Sequence, residues 1–207
     1  MSIEQSKKLF MGVITIGFLL SVFTFSFSFF YMQSKGTKGV DTEAAKLGLA
    51  LNVKRITNDK TIGLLPLSDN ELQAAVTGTD NGSCVDSIKK GRCQIYEVKL
   101  TNTGNVTSTI MGTVDLQPNE KSEFKNLKWV EIRNENDATP FGSIHSSKEK
   151  NWKNDYVMGA NASSTFYILV WISETGQRQN DEDKGSFTGN VTFNSTAGAG
   201  TSAAFVG

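Results

Sequence analysis

Two cysteines, Cys84 and Cys93, and a single histidine, His145, make up the chain's stock of thiol and imidazole. They fall short of a closed zinc site, which takes four such ligands. Between the cysteines lies VDSIKKGR, a polar stretch whose glycine lets the chain fold back. The pair therefore reads as a disulfide, stabilising by about 2–3 kcal/mol in the chain-entropy model. His145 could serve as a general base, yet no partner can be assigned to it, and the plainer reading is an exposed loop histidine. Asp181 and Asp183, in the turn Asn180-Asp181-Glu182-Asp183, offer oxygen ligands for a weak calcium turn. Their spacing does not match the EF-hand loop, and a solvated acidic turn is the plainer alternative. There is no G-x-S-x-G, no H-E-x-x-H and no phosphate-cradling glycine loop. The acidic residues sit in turns and offer no carboxylate pair across a cleft. The expectation is a protein that is not an enzyme and holds no cofactor.

Binding residues are easier to place. The stretch from Asn134 to Gly159 reads as irregular and carries Pro140, Phe141, His145 and Trp152 among polar residues. Long loops on rigid scaffolds often bind. Phe141, His145 and Trp152 are the candidate ligand residues, with Trp152 as a sugar-stacking ring. Trp129 and Trp171 read as packing residues. N-x-S/T acceptors occur at Asn81, Asn105, Asn161, Asn190 and Asn194.

The elements that would hold these residues are mostly strands. The chain after residue 45 is rich in Thr, Ser, Asn, Gly and Val, with short apolar runs between turn signals. That pattern predicts an all-β sandwich or jelly roll. Strands are expected at Leu47–Thr57, Gln94–Asn102, Val106–Leu116, Lys125–Arg133, Thr165–Ile172, Gly185–Asn194 and Thr201–Val206. The second and third, joined by Thr103-Gly104-Asn105, are expected to form a hairpin. Thr165–Ile172 (TFYILVWI) is apolar on both parities, which predicts a central strand covered on both faces. In Gly185–Asn194, Phe187, Val191 and Phe193 should point inward and Thr188, Thr192 and Asn194 outward. Ser68-Asp69-Asn70-Glu71 fits a capping box and predicts one short helix from Asp69 to Thr77.

Ahead of this body stands an uncharged run, Leu9 to Met32, preceded by Lys7 and Lys8. As a helix it would reach about 36 Å, enough to cross a bilayer core of about 30 Å. The lysines mark residues 1–8 as the cytoplasmic side and place the rest outside. An uncleaved signal anchor, a cleaved secretory signal and a strand carrying Phe23, Phe25, Phe27 and Phe29 all fit parts of it. The anchor fits best in length and in its outer Phe29-Phe30-Tyr31 belt. Residues 33–45 read as a polar stalk, and residues 46–207 as one extracellular domain. The expected location is the cell membrane with the C-terminal domain outside, or secretion after cleavage. No Leu-Pro-x-Thr-Gly tail stands near Gly207, so residues 9–32 are the expected anchor. The formal net charge is zero, and the basic clusters Lys7-Lys8 and Lys89-Lys90-Gly91-Arg92 are short. Neutrality of this kind argues against nucleic acid as a partner.

At Leu47–Ile56 and at YEVKLTNTGN (Tyr96–Asn105) the chain resembles the camelysin/TasA-type surface and biofilm-fibre proteins of Gram-positive bacteria. The resemblance implies a hydrophobic N-terminal signal, a jelly-roll domain and a strand ending in an N-T-G turn. It implies a structural or adhesive subunit that self-associates or meets a cell-surface protein or glycan. The chain departs from that family's pattern at the cleavage site, in its cysteine pair and in its long middle stretch. The alternative is an extracellular carbohydrate- or ligand-binding module built on residues 134–159.

Overall fold

A computed structural model describes residues 45–57, 64–77, 84–85, 90–118, 126–179 and 186–207. They belong to one compact unit, Ala45–Gly207. The run at 9–32, the stalk up to residue 44, Asn81, and Asp181 and Asp183 lie outside the described residues. Among those described, no helix is long and apolar enough to cross a membrane.

The alternating stretches become ten strands: β1 (Leu49–Arg55), β2 (Cys93–Asn102), β3 (Ser108–Pro118), β4 (Leu127–Asn134), β5 (Asp137–Pro140), β6 (His145–Ser146), β7 (Asn151–Met158), β8 (Ser163–Ile172), β9 (Phe187–Ser195) and β10 (Gly200–Val206). They form two antiparallel sheets. The first runs β1-β2-β8-β4-β5, with β6 also on β4, and the second runs β10-β9-β3-β7. The fold is an all-β sandwich. Its main core lies between the sheets, where Tyr96, Val98, Leu100, Trp129, Phe166, Ile168 and Val170 of the first meet Ile110, Val114, Leu116, Phe187, Val191, Phe193 and Phe205 of the second.

β8 is the middle strand of the first sheet, as its double-parity apolarity predicts. Phe166, Ile168, Val170 and Ile172 face the main core. Leu169 and Trp171 face a second cluster with Leu72, Ala75 and Val76. Those three lie on α1 (Leu72–Thr77), which follows a 3-10 turn at Asp69–Glu71. The capping box is not realised, for Ser68 makes no side-chain cap. The acidic residues are drawn into tertiary bonds instead: Glu71 meets Arg92 at 3.0 Å, and Asp69 meets Lys128 at 2.7 Å. The Cys84–Cys93 disulfide is formed, with Cα atoms 4.8 Å apart, and ties the segment after α1 to the start of β2.

Two sequence expectations are corrected. β2 and β3 are not a hairpin: β2 lies between β1 and β8, and β3 between β9 and β7. Both strands present alternate apolar residues to one core, so the same pattern serves strands that face each other across layers. The corner between them is held by Asn102, which is buried. Its amide nitrogen donates to the carbonyls of Val106 at 2.8 Å and Gly159 at 2.9 Å, and its side-chain oxygen accepts from the Gly104 amide at 2.9 Å. A Cβ on Gly104 would collide with the Lys46 carbonyl oxygen, which explains the glycine of the N-T-G turn. The stretch 134–159 is likewise not one irregular loop, since it forms β5, β6 and β7.

β7 hides its strand character for a physical reason. Its pairing with β3 runs Ile110↔Tyr156, Gly112↔Lys153 and Thr113↔Asn151, so extra residues sit on β7 at two places. Asp155 takes a left-handed conformation with φ 54°. Such bulges break the period of two and re-aim side chains.

Candidate functional site

The three ligand candidates converge where β4 of the first sheet approaches β7 of the second. On β4, Leu127, Trp129 and Glu131 share the parity that faces the main core. Glu131 is thus a carboxylate at an inward position, 8% exposed. Its partners come from the bulged β7. Trp152 Nε1 donates to Glu131 Oε2 at 2.6 Å, and Lys153 Nζ lies 2.7 Å from Oε2 and 2.9 Å from Oε1. The Lys153 ammonium also stands among aromatic rings, 4.7 Å from the Phe166 centroid, 5.6 Å from Trp152, 5.7 Å from Tyr156 and 6.0 Å from Phe141. Buried ion pairs persist where hydrogen bonds and ring faces replace the lost water.

The rings continue inward. Trp152 packs against Phe166 and Phe193, each at 5.4 Å between centroids, and meets Trp129 edge-on at 6.4 Å. His145, on β6, stacks on Trp129 at 4.3 Å. Its Nδ1 lies 3.2 Å from Glu149 Oε2, while Trp129 Nε1 donates to the Glu149 carbonyl at 3.1 Å. Gly112 makes room for this packing, since a Cβ there would come within 2.6 Å of the Phe193 ring.

His145 and Trp152 both pack on Trp129, whereas Phe141 joins them only through the Lys153 ammonium, 6.0 Å from its ring. Trp152 is half-buried against the core on β7, which corrects its placement in an irregular loop. His145 is neither fully exposed nor without a partner. Phe141 is 64% exposed and is the ring of the three most open to a ligand. Trp129 and Trp171 are fully buried, as expected. Sequence reasoning missed Glu131, Lys153 and Tyr156. The one available signal was a glutamate on the inward parity of an otherwise apolar strand.

A second polar knot lies on the other face of the first sheet. Asp69 accepts from Lys128 Nζ at 2.7 Å, Ser173 Oγ at 3.0 Å and Trp171 Nε1 at 3.1 Å. Partial burial pushes its carboxyl up, but these bonds and the Lys128 charge outweigh it and hold the group below the usual carboxylate range. Both knots join layers: one links the two sheets, the other links the 3-10 turn ahead of α1 to the first sheet. Among the described residues, no three His, Cys, Asp or Glu side chains gather closely enough to hold a metal ion.

No protein-family model matches the chain, and no curated protein matches it. Among solved structures it is similar to a FixG-related protein from Vibrio parahaemolyticus, at 8% identity over 76% of this chain and 93% of that one, with a TM-score of 0.37. It is also similar to the Cep-1 DNA-binding domain from C. elegans, at 9% identity over 75% and 87% of the two chains, with a TM-score of 0.35. A third likeness is to the cupredoxin domain of amoB from Nitrosocaldus yellowstonii, at 11% identity over 76% and 84%, with a TM-score of 0.27. At scores this low none of the three bears on what this chain does.

Proposed function

We propose that this chain is a non-catalytic structural or adhesive subunit of a cell surface, held by residues 9–32 or released after cleavage. One observation supports this reading. The charged and aromatic side chains best suited to chemistry engage one another across the gap between the sheets, Glu131 with Trp152 and Lys153 above all. A carboxylate held by two donors and a lysine held by that carboxylate are well suited to joining layers and poorly suited to turnover. The camelysin/TasA resemblance and the apolar leader point the same way. The test is a reporter fused after Gly207 together with protease treatment of intact cells. The expected result is a domain cut from whole cells and cells that clump less when the chain is deleted. A reporter that stays inside the cell overturns the reading.

Phe141 favours a second reading, an extracellular ligand-binding module. An exposed ring 6.0 Å from the Lys153 ammonium is a surface on which a sugar could stack. Glycan-array binding lost in Phe141→Ala would establish it, and an array with no binding would remove it.

A further inference from the structure

The outward face of the β10-β9-β3-β7 sheet differs in chemistry from the uncovered outward face of the other sheet. Register sets its outward side chains in rows: Asn151, Thr113, Thr192 and Ser202 form one, and Asp115, Asn190 and Ala204 the next. Gln117, Thr188 and Val206 form a third, and Met111 and Asn194 a fourth, with Thr109 beside Val157. Asp115 is the one charge in these rows, and Lys150 neutralises it at 2.8 Å, while Asp155, exposed in the β7 bulge, adds a carboxylate at the edge of the sheet. The hydroxyls and amides bond sideways, Ser202 to Asn190 at 2.7 Å and Thr192 to Ser202 at 3.3 Å. Among the described residues, three of the five exposed large apolar side chains stand here: Val206 at 69%, Val157 at 64% and Met111 at 46%. The uncovered part of the other sheet's outward face is different, with Lys54 opposite Glu97 and Lys99 opposite Asn52.

We propose that this face docks a second copy of the chain, sheet stacked on sheet about a two-fold axis. The proposal rests on the surface-subunit reading and deepens it by naming the face and the partner. Charge decides the occupant. A strongly charged partner would lose water on a face whose middle rows carry no free charge to answer it, whereas a second copy brings the same near-neutral rows and leaves Asp155, on the edge strand β7, at the wet rim. Hydroxyl and amide groups both donate and accept, so such a face is complementary to itself. Depletion of charge around Met and Val is the composition of an interface centre. Four strands about 4.8 Å apart and about eight residues long give a face of about 500 Å², so a stacked pair would bury about 1,000 Å², the lower end for specific contacts. The pair should therefore be reversible.

The test uses the full chain. On intact cells, Thr192→Cys should give disulfide-linked dimers under mild oxidation, while Thr165→Cys, on the other sheet's outward face, should not. In sedimentation of the detergent-solubilised chain, Thr192→Lys should weaken association at least tenfold, and mixing Thr192→Lys with Thr192→Glu should restore it. An unchanged thermal transition in each variant shows that the fold survives. Association that ignores Thr192→Lys overturns the face assignment and leaves the surface-subunit reading standing. So do a monomer at every concentration, a glycan attached at Asn190 or Asn194, and binding of a neutral polysaccharide that Thr192→Lys abolishes. An intracellular reporter, by contrast, removes the reading itself.

Discussion

Glu131 and Lys153 make a pair whose members depend on each other more than the fold depends on the pair. Removing one leaves the other charge nearly dry, which for buried pairs costs about 3–5 kcal/mol. With side-chain exposures of 10% and 15%, some of that charge is rehydrated, so Glu131→Leu or Lys153→Met should each cost about 2–4 kcal/mol in urea unfolding. The double variant should cost less than the two single losses together, the remainder being the Trp152 indole N–H left without its acceptor, and additive losses would refute the coupling. Asp69 makes a pH prediction of definite sign. Its folded carboxyl lies below its ordinary value of 3.8, so its contribution is complete above that value and fades as pH falls through the folded one. Asp69→Asn should therefore lower stability at neutral pH and lessen the further loss on acidification, read from unfolding midpoints across acid pH. Asn102→Ala should cost about 3 kcal/mol, because it strips partners from buried backbone groups at the β2–β3 corner.

The elements differ in how readily they could be read. β8 and β9 were legible because burial on both faces, or strict alternation, leaves its mark on every residue. β7 was not legible, since its extra residues place Lys153 and Tyr156 three apart on a shared inward side and erase the period of two. The β2–β3 pairing was misread because alternation tells which residues face the core but not from which layer. The same limit hid the meeting of Phe141, His145 and Trp152: their residue types were visible, while Glu131, which gathers Trp152 and Lys153, lies on a different strand. α1 was found through a capping signal that the fold does not use; its apolar spacing alone was enough. Its tether yields the next prediction. The Cys84→Ala/Cys93→Ala variant should lose about 2–3 kcal/mol in urea unfolding, and Trp171 fluorescence should report loosening under α1 before the main core opens. A loss below about 0.5 kcal/mol would show that Asp69 and its partners suffice without the bridge.

At the scale of the whole molecule, the sheets share one core and are cross-linked by Glu131 with Trp152 and Lys153, by Tyr156 with Ser164, and by the Tyr96–Phe205 ring contact at 4.2 Å. Such a body should unfold as one unit, with tryptophan fluorescence and far-ultraviolet circular dichroism tracing one transition. Two separated transitions would mean that the sheets fail independently. The misfit register of β7 also bears on growth beyond the monomer. β7 forms the outer rim of its sheet, and a rim with surplus residues and a left-handed Asp155 is a crooked template for any incoming strand. Endless lateral zippering, the usual hazard of a β-protein at high local concentration, is thus obstructed on that side by the backbone itself.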